Sequence, residues 1–143
     1  MKNKPLVALL LFVCIFLSLK PAEQEMQLSI QGLQASHQGK TLYIGIWLPA
    51  NADFPHDQKP DIGLKAQIKS TSFTLSRKLA PGKYAVSVYV DENGNGRLDK
   101  NMLGAPKEPF GVSNNVVPKL SAPKLEECLF DLNKSQNVRI QLQ

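Results

Sequence analysis

The sequence contains little histidine and little cysteine, with two residues of each among 143. Cys14 lies in an N-terminal apolar run, so Cys128 stands alone in the remainder of the chain and cannot form an internal disulfide there. His37 and His56 lie in separate loop-like segments without cysteine ligands, which argues against a zinc site and predicts two solvated loop residues. This scarcity excludes a disulfide-stapled scaffold, and stability must come from an apolar core.

A basic cluster with interleaved aromatic residues is also missing, although the whole chain has a net charge of +5. Three lysines, Lys2, Lys4 and Lys20, belong to the N-terminal segment. Without them the 17 Lys and Arg residues fall to 14, against 12 Asp and Glu. The rest of the chain is therefore nearly neutral, and nucleic acid is not an expected partner.

Residues 1–22 are interpreted as a signal peptide. Two lysines precede an apolar run from Pro5 to Leu19, which is shorter than the roughly 20 residues that a transmembrane helix needs. We expect cleavage between Ser18 and Glu23, although Lys20 departs from the small-residue pattern before a cleavage site. The protein is then periplasmic or secreted, with residues 23–143 as one domain, and it meets the membrane only through this segment if that segment stays uncleaved.

The remaining chain alternates apolar and polar residues with period two, which is typical of strands with one buried face. This pattern predicts an all-β fold of seven strands in two packed sheets. The second strand has apolar residues on both faces, which indicates a central position in its sheet. The seven predicted strands cover residues 26–31, 42–48, 64–69, 73–76, 84–90, 125–132 and 138–142.

Three segments between the strands carry turn or loop signals. Ala80 to Lys83 contains Pro-Gly and predicts a type II turn with a positive φ at Gly82. Residues 51–60 and 100–124 are rich in proline and lack periodicity, so we expect long loops there. Long ordered loops of this kind are often functional.

The segment DENGNGRLD, residues 91–99, resembles a calcium-binding loop. Oxygen-bearing side chains occupy the first, third, fifth and ninth positions of an EF-hand pattern, and a glycine occupies the sixth. Met102 stands where a bidentate glutamate normally closes the site, so we expect weak binding, with water or Glu108 completing the shell. The predicted calcium ligands are Asp91, Asn93, Asn95, the backbone carbonyl of Arg97, Asp99 and Glu108.

The same residues also fit a metal-free connection. Asn and Asp form side-chain turns, and both Asn-Gly pairs in residues 93–96 are strong hairpin signals. Acidic residues at both Asp91 and Asp99 exceed what a simple hairpin requires. Residues alone therefore leave both a calcium site and a structural loop open.

The 104–115 segment has two interpretations as well. It can pack beside the acidic loop, or it can present Phe110, Ser113 and Asn114 as a surface for a protein partner or a glycan. Tyr43 and Trp47 could stack on a sugar, but aromatic residues of a central strand usually belong to the core.

Catalytic constellations find little support in the sequence. Cys128 lies in a predicted strand without a neighbouring base, which favours a buried structural thiol over a nucleophile. Glu126 and Glu127 would point to opposite faces of that strand, so they could not act on one atom.

The segments DENGNGRLD, NMLGAPKEPFGVSNN and LEECLFDL occur in the order seen in a family of exported bacterial proteins, domain of unknown function 2141, which the chain resembles over nearly all of residues 23–143. The resemblance implies a prealbumin-like, that is transthyretin-like, sandwich. Val90 replaces a histidine that is common in the family before the acidic loop, and Cys128 replaces a small residue. Together with the residue patterns, this favours an exported, non-enzymatic binding or accessory domain. An enzyme or enzyme subunit acting on envelope peptides or glycans, and a purely structural envelope protein, are the alternatives.

Overall fold

The structure, a computed structural model, describes residues 21–55, 59–117 and 121–143. Most of the predicted signal peptide and His56 lie outside the described residues. Among the described residues, no helix has the length and apolar character needed to cross a membrane. The described chain forms strands in two sheets with very little helix, which confirms the predicted all-β sandwich.

Eight strands build the two sheets. The smaller sheet has the order β4-β1-β8, and the larger has the order β3-β2-β5-β6. Strand β7 pairs with the start of β5, at Lys83 and Tyr84, ahead of the β5 residues that pair with β6. Strand β2 pairs with both β3 and β5, which confirms its predicted central position. The strands are β1 Gln24–Gln31, β2 Thr41–Trp47, β3 Ile62–Gln67, β4 Phe73–Leu79, β5 Lys83–Asp91, β6 Phe110–Val112, β7 Phe130–Asp131 and β8 Gln136–Gln141.

The two sheets enclose one apolar core. Its residues follow the period-two alternation of the strands, because every second side chain points inward. Each fully buried aliphatic side chain contributes about 1.5–3 kcal/mol relative to an exposed one. The centre of the core consists of Met26, Leu28 and Ile30 from β1, Leu42, Ile44 and Ile46 from β2, Val86, Val88 and Val90 from β5, and Val138 and Ile140 from β8.

A second apolar cluster lies on the outer face of the larger sheet. Trp47 is buried there and meets the ring of Phe54 edge-on, at 5.2 Å between ring centres and 90° between planes. Ala85, Val112 and Cys128 complete the cluster. Trp47 is therefore a core residue, which removes it from any sugar-stacking surface.

The predicted strand over residues 125–132 is partly wrong. Leu125–Cys128 forms one helical turn, α1, and only Phe130–Asp131 is a strand. The Glu127 carboxylate accepts a hydrogen bond from the Lys124 backbone N–H at 3.0 Å and so caps the start of this turn. Glu126 and Glu127 thus lie on a helical turn rather than on opposite faces of a strand.

The loop predictions also need corrections. Gly82 does not have the positive φ that a type II turn requires; the turn passes from β4 in one sheet to β5 in the other, and the Tyr84 hydroxyl donates to the Ala80 carbonyl across it at 2.9 Å. The 100–124 loop contains the short strand β6, which raises the strand number from seven to eight. His37 is buried at the end of a 3₁₀ turn, Ala35–His37, instead of solvated. There its Nδ1 accepts from the Gln34 backbone N–H at 3.1 Å.

Candidate functional site

The acidic loop begins at Asp91, the last residue of β5, whose side chain is buried. Its two carboxylate oxygens accept hydrogen bonds from the backbone N–H groups of Gly94, at 2.7 Å, and Gly96, at 2.8 Å. Both glycines have positive φ values, 78° and 76°, which residues with a Cβ rarely adopt. Asp91 therefore folds the loop around its own carboxylate.

Three exposed or half-exposed side chains of the loop converge on one point. The side-chain amides of Asn93 and Asn95 both donate to the same Asp99 carboxylate oxygen. Their side-chain oxygens accept from backbone N–H groups two residues further along, at Asn95 and Arg97. These are the side-chain turns that the metal-free interpretation requires.

Glu108 closes the base of the loop. Its buried carboxylate accepts from the backbone N–H of Glu92 at 2.9 Å and from that of Asp99 at 3.0 Å. The long loop after β5 thereby returns to the point where β5 ends. Glu108 was expected to supply a calcium ligand. It lies next to the loop, but both of its carboxylate oxygens accept hydrogen bonds from backbone N–H groups.

The fit of the loop to calcium is partial. Asp91 and Glu108 direct their oxygens at backbone N–H groups, whereas Asp99, Asn93 and Asn95 are the side chains that could gather around one ion. Within the described part of the chain, no three His, Cys, Asp or Glu residues form a group that could hold a metal. Calcium would thus need backbone carbonyls and water for most of the six to eight oxygens it prefers.

The three residues of the predicted partner surface are divided by the fold. Ser113 is fully buried, where its hydroxyl accepts from the Val86 backbone N–H at 2.9 Å and donates to the Cys128 carbonyl, so it cannot contact a partner. Asn114 is exposed, but its amide donates to the carbonyls of Glu127 and Leu129, each at 2.9 Å. Phe110 is half-buried and lines a large groove instead.

This groove, which we call the outer groove, lies on the outer face of the larger sheet and encloses about 970 Å³. Its floor is a row of small residues, because Gly45 on β2 pairs with Gly63 on β3 and with Ser87 on β5. The aromatic rings of Tyr43, Tyr89 and Phe110 form one wall, and Gly96, Leu98, Lys100 and residues 103–106 of the loop after β5 form another.

The floor and the wall are held in place by specific contacts. The Trp47 indole N–H donates to the Ser87 hydroxyl at 2.8 Å, directly above Gly45. The rings of Tyr43 and Tyr89 stack with centres 4.8 Å apart and planes 6° apart. The Tyr89 hydroxyl donates to the Gly96 carbonyl at 3.2 Å, and burial raises the pKa of Tyr89 well above its usual value. The groove wall is therefore tied to the acidic loop.

Sequence reasoning missed this groove. Gly45 and Gly63 are 18 positions apart in the chain and resemble ordinary strand glycines. Only the strand register places them side by side. The available signal was that both glycines, in two consecutive strands, fall at positions that face away from the core. Recognising it required the assumption that these two strands pair.

Catalytic groups are poorly placed in the described structure. Burial, and to a lesser extent the charge of Glu127, raises the pKa of the Cys128 thiol to about 12, so it is a poor nucleophile. Cys128 is fully buried, as predicted for a structural thiol. His37 faces Glu92, with 3.6 Å between Nε2 and Oε1, rather than a nucleophile.

Comparison with known protein families agrees with the resemblance seen in the sequence. The family model described as "Uncharacterized protein conserved in bacteria (DUF2141)" matches residues 28–141. The match runs from within β1 to the end of β8, and it includes the acidic loop and every described residue of the outer groove except Gln143. Searches of curated proteins and of solved structures gave no match.

Proposed function

The chain belongs to the DUF2141 family of bacterial proteins, and from this premise we propose that it is an exported, non-enzymatic binding domain that acts in the periplasm or outside the cell. The observation that carries the proposal is the outer groove. Its volume of about 970 Å³ lies at the upper end of the roughly 300–1,000 Å³ that small-molecule sites occupy. A concave, largely apolar surface on a rigid sheet is suited to holding a ligand.

The shape of the groove supports binding because the sheet itself provides the cavity. Gly63 adds no side chain to the floor, where a Cβ would meet only Pro60, whereas Trp47 and Pro60 already cover Gly45. The rings of Tyr43, Tyr89 and Phe110 lie beside this floor. A monomeric protein gains no stability from such a gap, since apolar side chains there would bury more surface. The gap is therefore best explained by a ligand.

Two alternative functions have less support. An enzyme acting on envelope peptides or glycans needs a nucleophile or base beside a substrate cleft, and the described charged residues that line the outer groove are Lys65 and Lys100 alone. A structural envelope protein needs no groove of this size. For a glycan partner, Tyr43 would have to offer a ring face, but one face stacks on Tyr89 and the Lys65 ammonium lies 4.8 Å from the ring centre.

The binding proposal is tested by native mass spectrometry of the full chain, expressed from its own start codon and purified from the exported fraction as the host processes it. We expect a co-purifying small molecule. Gly63→Leu fills the floor, where a Cβ would meet only the Pro60 ring at 3.5 Å, and should abolish co-purification. Thr74→Leu, which adds the same side chain to an exposed position on the smaller sheet, is the matched control.

Two results would contradict the binding proposal. One is a molecule that the wild type and Gly63→Leu retain equally. The other is the absence of any bound molecule, combined with no thermal stabilisation by any member of a broad metabolite set.

N-terminal sequencing of the same material tests export. A mature N-terminus between residues 19 and 23 is expected, and an intact Met1 in the cytosolic fraction would contradict it.

We further propose that calcium binds weakly at the acidic loop and stabilises it. The supporting observation is the convergence of Asn93 and Asn95 on the Asp99 carboxylate. Turning the two amides would place their oxygens around the same point as hard ligands, and would give up the hydrogen bonds that these oxygens accept from the backbone N–H groups of Asn95 and Arg97. Because the loop has so few carboxylates, its dissociation constant for calcium should be similar to the roughly 0.1–1 mM of extracellular calcium-binding modules.

Thermal unfolding in millimolar calcium, in magnesium and in chelator tests this proposal. Calcium at tenfold excess over its dissociation constant should stabilise the protein by about 1.4 kcal/mol. Asp99→Asn should remove the calcium-dependent rise, and Asp131→Asn, an exposed carboxylate on β7, should keep it. Equal melting temperatures in calcium and chelator would leave the loop as a hydrogen-bonded structural element.

A further inference from the structure

The charged side chains along the outer groove have one sign. The described charged residues that line it are Lys65, on β3, and Lys100, in the loop after β5. Neither forms an ion pair with an acidic side chain in the described residues, where the ion pair found is between His37 and Glu92. The groove therefore offers positive charge to a ligand, although the domain as a whole is almost neutral.

The rest of the lining is mainly apolar. Leu98 and Phe110 border the cavity with several prolines, and the buried Trp47 and Val112 reach it with little exposed surface. At its edge, Leu103 is 91% exposed and the adjacent Met102 is 104% exposed. Large apolar side chains that remain this exposed beside a groove are typical of a binding surface.

The polar and apolar features are arranged in order along the groove. Lys65 lies over the Tyr43 ring, and the Tyr43 hydroxyl lies beside Gly96, since a Cβ on that glycine would be 3.3 Å from it. Lys100 and Gly96 belong to the same loop wall. The glycine floor and Trp47 lie further along β2, away from this polar end. A ligand that fits both parts needs an anionic group and an apolar body.

We propose that the outer groove binds a free fatty acid or a closely similar single-chain carboxylate, with the carboxylate at Lys65 and Lys100 and the acyl chain over the floor at Gly63. This proposal rests on the binding function proposed above and names its ligand class. A single chain suits a groove whose floor is one strip of small residues. The carboxylate provides the negative charge that the two lysines attract, and no acidic side chain among the described lining residues opposes it.

The test uses the full chain, purified as processed by the host and stripped of bound lipid, and isothermal titration with three probes of equal chain length. These are dodecanoate and dodecyltrimethylammonium, both below their critical micelle concentrations, and dodecan-1-ol, below its solubility limit. We expect one dodecanoate per chain, with dodecan-1-ol about tenfold weaker and the cationic probe weaker still, as loss of one charge-assisted contact implies.

Two sets of variants separate charge from shape. Lys65→Gln with Lys100→Gln should lower the affinity for dodecanoate at least about fivefold and leave the affinity for dodecan-1-ol unchanged. The control, Lys78→Gln with Lys134→Gln, makes the same charge change at exposed positions away from the groove and should alter neither affinity. Gly63→Leu should weaken both chain probes, and Thr74→Leu neither.

Each contrary outcome has a separate meaning. Dodecanoate binding no tighter than the cationic probe, or unaffected by the lysine pair, would overturn the fatty-acid assignment. If a different molecule co-purifies and Gly63→Leu removes it, the binding function stands and only the ligand class is wrong. If Gly63→Leu changes neither co-purification nor dodecanoate affinity, both proposals fail.

Discussion

Gly45 and Gly63 lie opposite each other on β2 and β3, and both point to the outer face of the larger sheet. Their surroundings differ. A Cβ on Gly45 would lie 2.8 Å from the Trp47 indole nitrogen, 3.0 Å from the Ser87 hydroxyl and 3.1 Å from the Pro60 Cβ. A Cβ on Gly63 would meet only Pro60, at an ordinary contact distance of 3.5 Å. Glycine is thus required at position 45, whereas position 63 can accept a larger residue.

Alanine at these two positions should have opposite effects on stability. Gly45→Ala must displace Trp47 or Ser87 and should cost about 1–3 kcal/mol, as overpacking does. Gly63→Ala should be neutral or stabilising by up to about 0.5–1 kcal/mol, because glycine in a strand loses more backbone entropy than alanine. Urea unfolding of both variants measures the difference. Equal destabilisation of the two variants would show that a side chain at position 63 also clashes with its neighbours.

Removal of the Glu108 carboxylate should loosen the acidic loop. Glu108→Gln places an amide NH₂ against one of the two backbone N–H donors, at Glu92 or Asp99. One buried donor then loses its acceptor, and the expected cost is about 1–3 kcal/mol. Denaturant unfolding tests this, with the exposed Glu126→Gln as the matched charge control. Similar midpoints for the two variants would show that Glu108 does not hold the loop.

Ser113 should matter for stability and not for surface recognition. Ser113→Ala leaves the buried Val86 backbone N–H without its acceptor, at an expected cost of about 1–3 kcal/mol. The Val86 amide should also exchange its hydrogen faster in the variant. Ser76→Ala, an exposed serine on β4, should change neither quantity. Unchanged exchange at Val86 would contradict the role given to Ser113.

The Cys128 thiol should be unreactive in the folded protein. Its pKa is raised from an ordinary 9.0 to about 12, mainly by burial, so the folded state holds the thiol proton more tightly than the unfolded state. This contribution to stability is fully present below about pH 9 and is lost as the pH rises toward 12.

Labelling with a thiol reagent at pH 8 should therefore follow unfolding, with rapid labelling in denaturant as the positive control. In alkaline unfolding, Cys128→Ala should lose less stability between pH 9 and 11 than the wild type. Rapid labelling of the native protein would show that the thiol is accessible.

Much of the sandwich could be predicted because the relevant signal is local. In β1, β2 and β5 the apolar side chains alternate strictly, and a strand with one or two buried faces follows directly from that period. Leu125–Leu132 gave a misleading signal, since a run of mixed apolar and acidic residues suits a short helical turn as well as a strand. The Glu127 cap and the packing of Cys128 in the second cluster decided for the helix.

The acidic loop was recognisable for the same reason. Asp91, Gly94 and Gly96 are close in sequence, and their turn chemistry depends on neighbours within five positions. The contact from Glu108 was anticipated only as a candidate ligand. Its pairing with two backbone N–H groups required knowledge of how the long loop returns.

The sequence by itself determined the strand pattern, the family and the local chemistry of the 91–99 loop, because periodicity and turn preferences act over a few residues. Tertiary structure alone decided that His37 and Ser113 are buried and that Gly45, Gly63 and Ser87 form one strip beside Tyr43 and Tyr89. Those relations depend on strand register and sheet order, which arise from packing between segments far apart in the chain. The outer groove is a product of that packing.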